Sequence, residues 1–244
     1  GDQEIQQLGA GLDLAMLMAA GWPMIALGFV VFFYCLSSLY DERKDRSVLF
    51  WKSLPISDTA TVISKALSAT LVAPLISGGV AILVGFAFLL IPSFWLVLHG
   101  ANPWTLVFGP ASPTQVAGTI LLGIPVYALW ALPTVGWLML ISVWAKSKPF
   151  LWAVLIPVFA GIFVSWFDIM MAFDLDSTWF WKNIVARTLT SVFPSTDLIF
   201  LHDGFDRIEI NGPEDLRSLL SWQSSLNTLA SLHTWIGATA GLAM

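Results

Sequence analysis

The feature that most constrains this chain is a set of long apolar runs with almost no charge inside them, at residues 14–40, 60–99, 115–145 and 149–173, with a fifth opening near Leu226. A run of about 18 or more apolar residues is long enough to cross bilayer hydrocarbon as a helix. No water is present there, so each backbone N–H and C=O must be satisfied within the protein, and a helix does this within one segment. Composition agrees: 57% of the 244 residues are hydrophobic and 11% are charged, with 13 Trp and 17 Phe. A soluble globular domain carries roughly 25% charged residues. The expected fold is an all-α polytopic membrane protein, one transmembrane domain with about five membrane helices.

The few cations orient it. Of 11 Lys and Arg, seven fall in two connections: Arg43, Lys44, Arg46, Lys52 and Lys65 after the first run, and Lys146 and Lys148 between the third and fourth. Short loops rich in Lys and Arg stay on the cytoplasmic side, whereas residues 1–13 and 100–114 hold none. The domain therefore reads as a span at 14–40, a cytoplasmic element at 41–57, a span at 58–99, spans at 115–145 and 149–173, an extracytoplasmic segment at 174–223, and the start of a last span at 226–244. Residues 58–99 as one helix measure about 60 Å against a hydrocarbon core of about 30 Å. This predicts a cytoplasmic lead-in from Asp58, a span centred on 71–91, and a break at Pro92, which has no N–H to donate. Pro125 and Pro133 either kink packed helices or bend one that lines a pathway. Trp22, Trp95, Trp104, Trp144, Trp152, Trp179 and Trp181 fall near predicted boundaries, where the ring suits the headgroup zone. Gly237 and Gly241 have the small-xxx-small spacing that allows close helix approach. Both ends read as cut, so the chain is expected to be an internal piece of a longer membrane protein.

Several function classes are excluded. A net charge of −5 with scattered cations offers no surface to neutralise nucleic-acid phosphates. No GxxxxGK[ST] loop, HExxH, GxSxG or cysteine-pair motif occurs, so no catalytic, cofactor-binding or metal residues are assigned. Cys35 lies alone in an apolar run, and His99, His202 and His233 are far apart. The segment 174–223 mixes aromatic stretches with Asp197, Asp203, Asp206, Glu209, Glu214 and Asp215. It reads as an amphipathic helix over 178–192 in the outer interface, followed by exposed turns at 203–213. Asp168 is the one acid within an apolar stretch, where a charge is expensive, and it reads either as an interface residue or as an intramembrane functional acid.

The most informative stretch is 39–65. Charges at Asp41, Glu42, Arg43, Lys44, Asp45 and Arg46 precede the apolar cluster Val48, Leu49, Phe50, Trp51 and Leu54, the pattern of an amphipathic helix along the cytoplasmic face. Glu42 and Arg46 form an i,i+4 pair in the favourable order, Pro55 stops the helix, and Ser57 or Asp58 caps the next. Such an element either merely connects two spans or docks a partner and carries motion into them.

With Glu42-Arg43, the apolar stretch 48–51, Leu54-Pro55-Ile56-Ser57 and Lys65 in these positions, the chain resembles the permease subunits of ABC-2 type transporters. The resemblance implies a six-span membrane subunit in the bacterial cytoplasmic (inner) membrane, of which this chain supplies spans two to five and part of the sixth. It also implies a coupling helix between spans two and three and small extracytoplasmic or re-entrant helices between spans five and six. By itself such a permease is not an enzyme. ATP and Mg are handled by a separate ABC ATPase subunit, and two permeases, identical or homologous, join two ATPases to move a substrate, in the sense of export. Glu42, Arg43, Asp45, Arg46, Trp51 and Pro55 become the contacts to the ATPase. Two alternatives compete: an integral membrane enzyme using the outer-face acids Asp168, Asp174 and Asp176, and a non-catalytic scaffold or sensor with an acidic outer segment.

Overall fold

Every regular element in the computed structural model, which describes residues 2–47, 49, 57–171, 176–201 and 222–244, is helical. The first run forms α1 (Asp2–Ser37), which continues through Pro23. Ser77 of the facing helical run donates its hydroxyl to the Pro23 carbonyl across 2.9 Å, a polar contact between the two runs. After a turn at Ser38 and Leu39 the chain forms a short helix, α2 (Tyr40–Lys44). Helix α3 (Asp58–Leu67) opens on Ser57, whose side chain accepts from the Ala60 N–H, as the capping pattern predicts. A π-helical turn at Ser68–Val72 leads into α4 (Ala73–Leu98).

The break expected at Pro92 is absent, and α4 carries this proline within the helix to Leu98. An exposed end in apolar surroundings would strand four carbonyls without water, so continuing the helix past one missing donor is the better solution. The third run does break. Helices α5 (Pro113–Trp130) and α6 (Leu132–Trp144) meet at Ala131 with a 49° bend, Pro133 lying in the first turn of α6. Helix α7 (Pro149–Met171) follows. Next come α8 (Ser177–Phe180), a π-helical stretch Trp181–Ala186, and α9 (Arg187–Thr190), then α10 (Thr196–Leu201), α11 (Trp222–Ala230) and α12 (Leu232–Ala243).

Three helical runs are long and apolar enough to cross a membrane, Glu4–Lys44, Asp58–Leu98 and Pro149–Met170, and the α5–α6 pair passes the same test only when its two bent halves are taken together as one span. In the expected last run, Ser231 accepts the Thr234 N–H and opens α12, which continues to Ala243. Between 17% and 28% of the most apolar window in each long run is buried. Phe29, Ile76, Leu83, Ile91 and Ile169 are among many large side chains on the surface. A soluble protein does not tolerate an apolar surface of that extent, whereas lipid tails match it. The interior is small and centres on α1, α6 and the turn after α9, with Leu27, Val31, Cys35, Val135, Leu138 and Val192 buried together.

Candidate functional site

The junction after α1 is built from charges and carbonyls at the ends of three helices. Lys65 donates from Nζ to Glu42 Oε1 at 2.6 Å and to the Ser38 carbonyl, also at 2.6 Å. Both side chains are mostly covered, Lys65 at 15% and Glu42 at 25% exposure, so this pair is less screened than a surface ion pair. Arg43 reaches the other way and donates to the Ala145 carbonyl at 2.5 Å, just past the C-terminus of α6. The last carbonyls of a helix lack intrahelical partners and carry the negative end of its dipole, so a guanidinium is well placed there. Ser142, fully buried in α6, accepts the backbone N–H groups of Leu39 and Tyr40 at 3.2 and 2.8 Å. The 23-residue separation of Glu42 and Lys65 and the roughly hundred-residue separation of Arg43 and Ala145 are thereby closed in one place.

The remaining charges of α2 and the turn after it face outward. Asp41, Lys44, Asp45 and Arg46 are exposed, and Arg46 holds a left-handed backbone with φ 57°. Trp51, Pro55 and most of the stretch 48–51 lie outside the described residues, while Leu49 is 69% exposed. Of the residues assigned to a partner surface, Glu42 and Arg43 are engaged within the protein, and Asp45 and Arg46 present their charges to solvent.

A second constellation was not singled out by sequence reasoning. The segment 177–193 does more than rest against the ends of the spans. Trp181 donates from its indole to Ser165 Oγ, and Trp181 and Val185 lie so close to Gly161, halfway along α7, that a Cβ there would fall 2.8 Å from the indole. Phe193 rests on Gly28, at the middle of the apolar part of α1. Between these contacts Arg187 is 6% exposed, its guanidinium 4.4 Å above the Trp130 ring and enclosed by Pro133 and Gly237. Thr134 Oγ1 and Ser191 Oγ both donate to the Arg187 carbonyl, and Tyr127 donates to the Val192 carbonyl. The side chain itself is less well served: Nε and Nη2 are buried without a hydrogen-bond partner among the described residues. Among the described residues no hydrogen bond offsets the burial of these two nitrogens, a costly feature that packing alone does not call for. The available signal is a lone arginine in an aromatic stretch, which by pattern belongs to the amphipathic helix expected over 178–192 in the outer interface.

The candidate acids fare differently. Asp168 is half-buried near the end of α7, without a hydrogen bond or ion pair among the described residues. Asp176 is exposed and caps α8 by accepting the Trp179 N–H at 2.9 Å, a sufficient structural use for its carboxylate. Asp174 and His202 lie outside the described residues. Among the described residues no three His, Cys, Asp or Glu side chains group as metal ligands would. Gly241 of the small-xxx-small pair lies against the Leu132 carbonyl, so the spacing is used within the chain, where α12 crosses the α5–α6 bend.

Comparison with known protein families, curated proteins and solved structures gives no match. Function therefore has to be argued from this geometry and from the sequence resemblance.

Proposed function

We propose that the chain is the membrane-spanning permease subunit of an ABC-2 type ATP-driven transporter that exports a substrate across the bacterial cytoplasmic membrane. The observation that supports this reading best is the bracing of α2. One short charged helix is tied to α3 through Glu42 and Lys65 and to α6 through Arg43 and Ser142, while its outer charges stay uncommitted on the surface. A push on Lys44, Asp45 and Arg46 is then transmitted to the ends of α1, α3 and α6 together. Those carry two of the long runs and the bent pair. Such a lever suits a protein whose energy source is elsewhere: ATP and Mg belong to a separate ATPase subunit, and closure of two ATPases would move two permease copies. The absence of a phosphate loop in the sequence agrees with that division of labour.

The test separates the two sets of charges. With the full-length protein and the ATPase encoded beside it, D45K/R46E is expected to reduce co-purification at least tenfold while the melting temperature stays within a few degrees. E42K/R43E is expected to lower the melting temperature as well. Unchanged association in D45K/R46E, with ATP-dependent transport intact, removes the contact assignment. No adjacent reading frame with a phosphate-loop ATPase would count against the permease reading itself.

A further inference from the structure

The connection from α6 to α7 is short: Ala145 follows the last residue of one helix and Pro149 opens the next. Two of its residues, Lys146 and Lys148, are exposed, and neither ammonium group has a hydrogen bond or ion pair among the described residues. No acid close to them along the chain offsets them, because residues 59–167 contain no Asp or Glu. The exposed charges of α2 and the turn after it balance, Asp41 and Asp45 against Lys44 and Arg46, while Arg43 is engaged by the Ala145 carbonyl. The connection is therefore a local excess of two positive charges.

It is also held in one shape. Arg43 donates to the Ala145 carbonyl at 2.5 Å, the Trp137 indole of α6 donates to the Ala153 carbonyl of α7 at 3.0 Å, and the Leu151 N–H returns to the Lys148 carbonyl at 3.1 Å. Lys148 keeps a left-handed backbone, φ 51°, which costs a non-glycine residue free energy and persists where the surroundings enforce it. The backbone that carries both ammonium groups is thus fixed in advance, which lowers the ordering cost of a ligand they share.

Indoles frame the same turn. Trp144 and Trp152 are 59% and 44% exposed and meet edge to face with ring centroids 5.6 Å apart, and Phe150 beside them is also exposed. Tryptophan collects at head-group depth, and Trp152 follows Lys148 by four residues, a rise of about 6 Å. A lysine stem spans that distance, so cation and indole reach a single lipid molecule together.

We propose that this turn binds an anionic phospholipid of the cytoplasmic leaflet, its phosphate between Lys146 and Lys148 and its upper acyl chain against Trp144, Phe150 and Trp152. An acidic protein surface matches the charges but not the lipid-facing rings, and a zwitterionic lipid brings no net charge to the lysines. The site involves neither ATP nor the outward charges of α2, so it stands whether or not the permease reading holds.

The experiment places the full chain in phosphatidylcholine nanodiscs doped with phosphatidylglycerol that carries a photoreactive diazirine on one acyl chain near the head group. Cross-links are mapped by mass spectrometry. Labelling is expected at residues 144–152, weakened about tenfold by K146E/K148E and kept by K146R/K148R. Phosphatidylcholine bearing the same diazirine is expected to label those residues weakly and to respond to neither variant. K44Q/R46Q is expected to change the phosphatidylglycerol signal less than about twofold, since it lies off the turn and is screened by salt, and soluble glycerol phosphate is expected not to compete. Melting temperatures are recorded for each variant and are expected to hold, because both lysines are exposed. Equal labelling by the two lipids, or phosphatidylglycerol labelling indifferent to K146E/K148E, overturns the lipid assignment and leaves an acidic protein as the partner. An equal loss in K44Q/R46Q overturns the placement at this turn, and competition by glycerol phosphate overturns the acyl-chain contact.

Discussion

Arg187 and Lys65 show how differently two cations are kept in one membrane protein. Lys65 has a carboxylate and a carbonyl as partners, so removing it takes away two contacts, while removing Glu42 takes away one. Lys65→Met is accordingly expected to destabilise more than Glu42→Gln, and a double-mutant cycle read by thermal unfolding should give a coupling of about 1 kcal/mol. A coupling near zero would mean that the pair is bridged by water and braces nothing. Arg187 has an aromatic face and two unsatisfied nitrogens, so its charge opposes folding. Arg187→Met keeps volume and loses the charge, and the expected melting temperature in detergent is unchanged or higher, by the equivalent of roughly 1–3 kcal/mol. A drop of several degrees would reveal a partner for the guanidinium. The charges of α2 were legible in the sequence because helical spacing and a following proline frame them. Arg187 was not, since nothing local marks a lone arginine as buried when its neighbours Trp130 and Gly237 lie about 50 residues away on other helices.

The segment 177–193 and the bent α5–α6 pair are the elements whose behaviour local pattern failed to fix. Their seats are glycines: Gly161 receives Trp181 and Val185, and Gly241 of α12 lies against the backbone at the bend. Pro133 explains why a break falls there, because it has no N–H to return to the preceding turn and disfavours helix in the residue before it. Whether a proline breaks a membrane helix depends on what fills the gap, as Pro92 shows by sitting within α4 without ending it. Gly161→Leu should displace the inserted segment by overpacking. Ser191, fully buried, reports it: in Ser191→Cys the thiol is expected to be inert toward a small maleimide, and in the double variant to react about tenfold faster or more, the equivalent of ~1.4 kcal/mol. Equal rates in the two backgrounds would show that the segment is not held by that glycine.

For the molecule as a whole, the bundle is held by a narrow interior and by hydroxyl and indole bonds between helices, since lipid supplies no hydrophobic drive for helix association. Cys35 is fully buried, which leaves a quiet background for single-cysteine labelling. In vesicles of known orientation, an impermeant thiol reagent should label Lys44→Cys and Lys146→Cys from one side and Trp104→Cys from the other; labelling of all three from the same side overturns the topology drawn from the basic loops. The sequence by itself determined the class of the protein, the helical character of its runs and the sidedness expected from Lys and Arg. These depend on length and on charge counted along the chain, and neither needs a neighbour. Only the tertiary structure decided that Glu42 and Arg43 brace α2 against α3 and α6, and that Arg187 is buried over the Trp130 ring. The physical reason is distance: each of these rests on groups about 20 to 100 residues apart, brought together by side-chain volume and hydrogen bonding between helices, which no local pattern records.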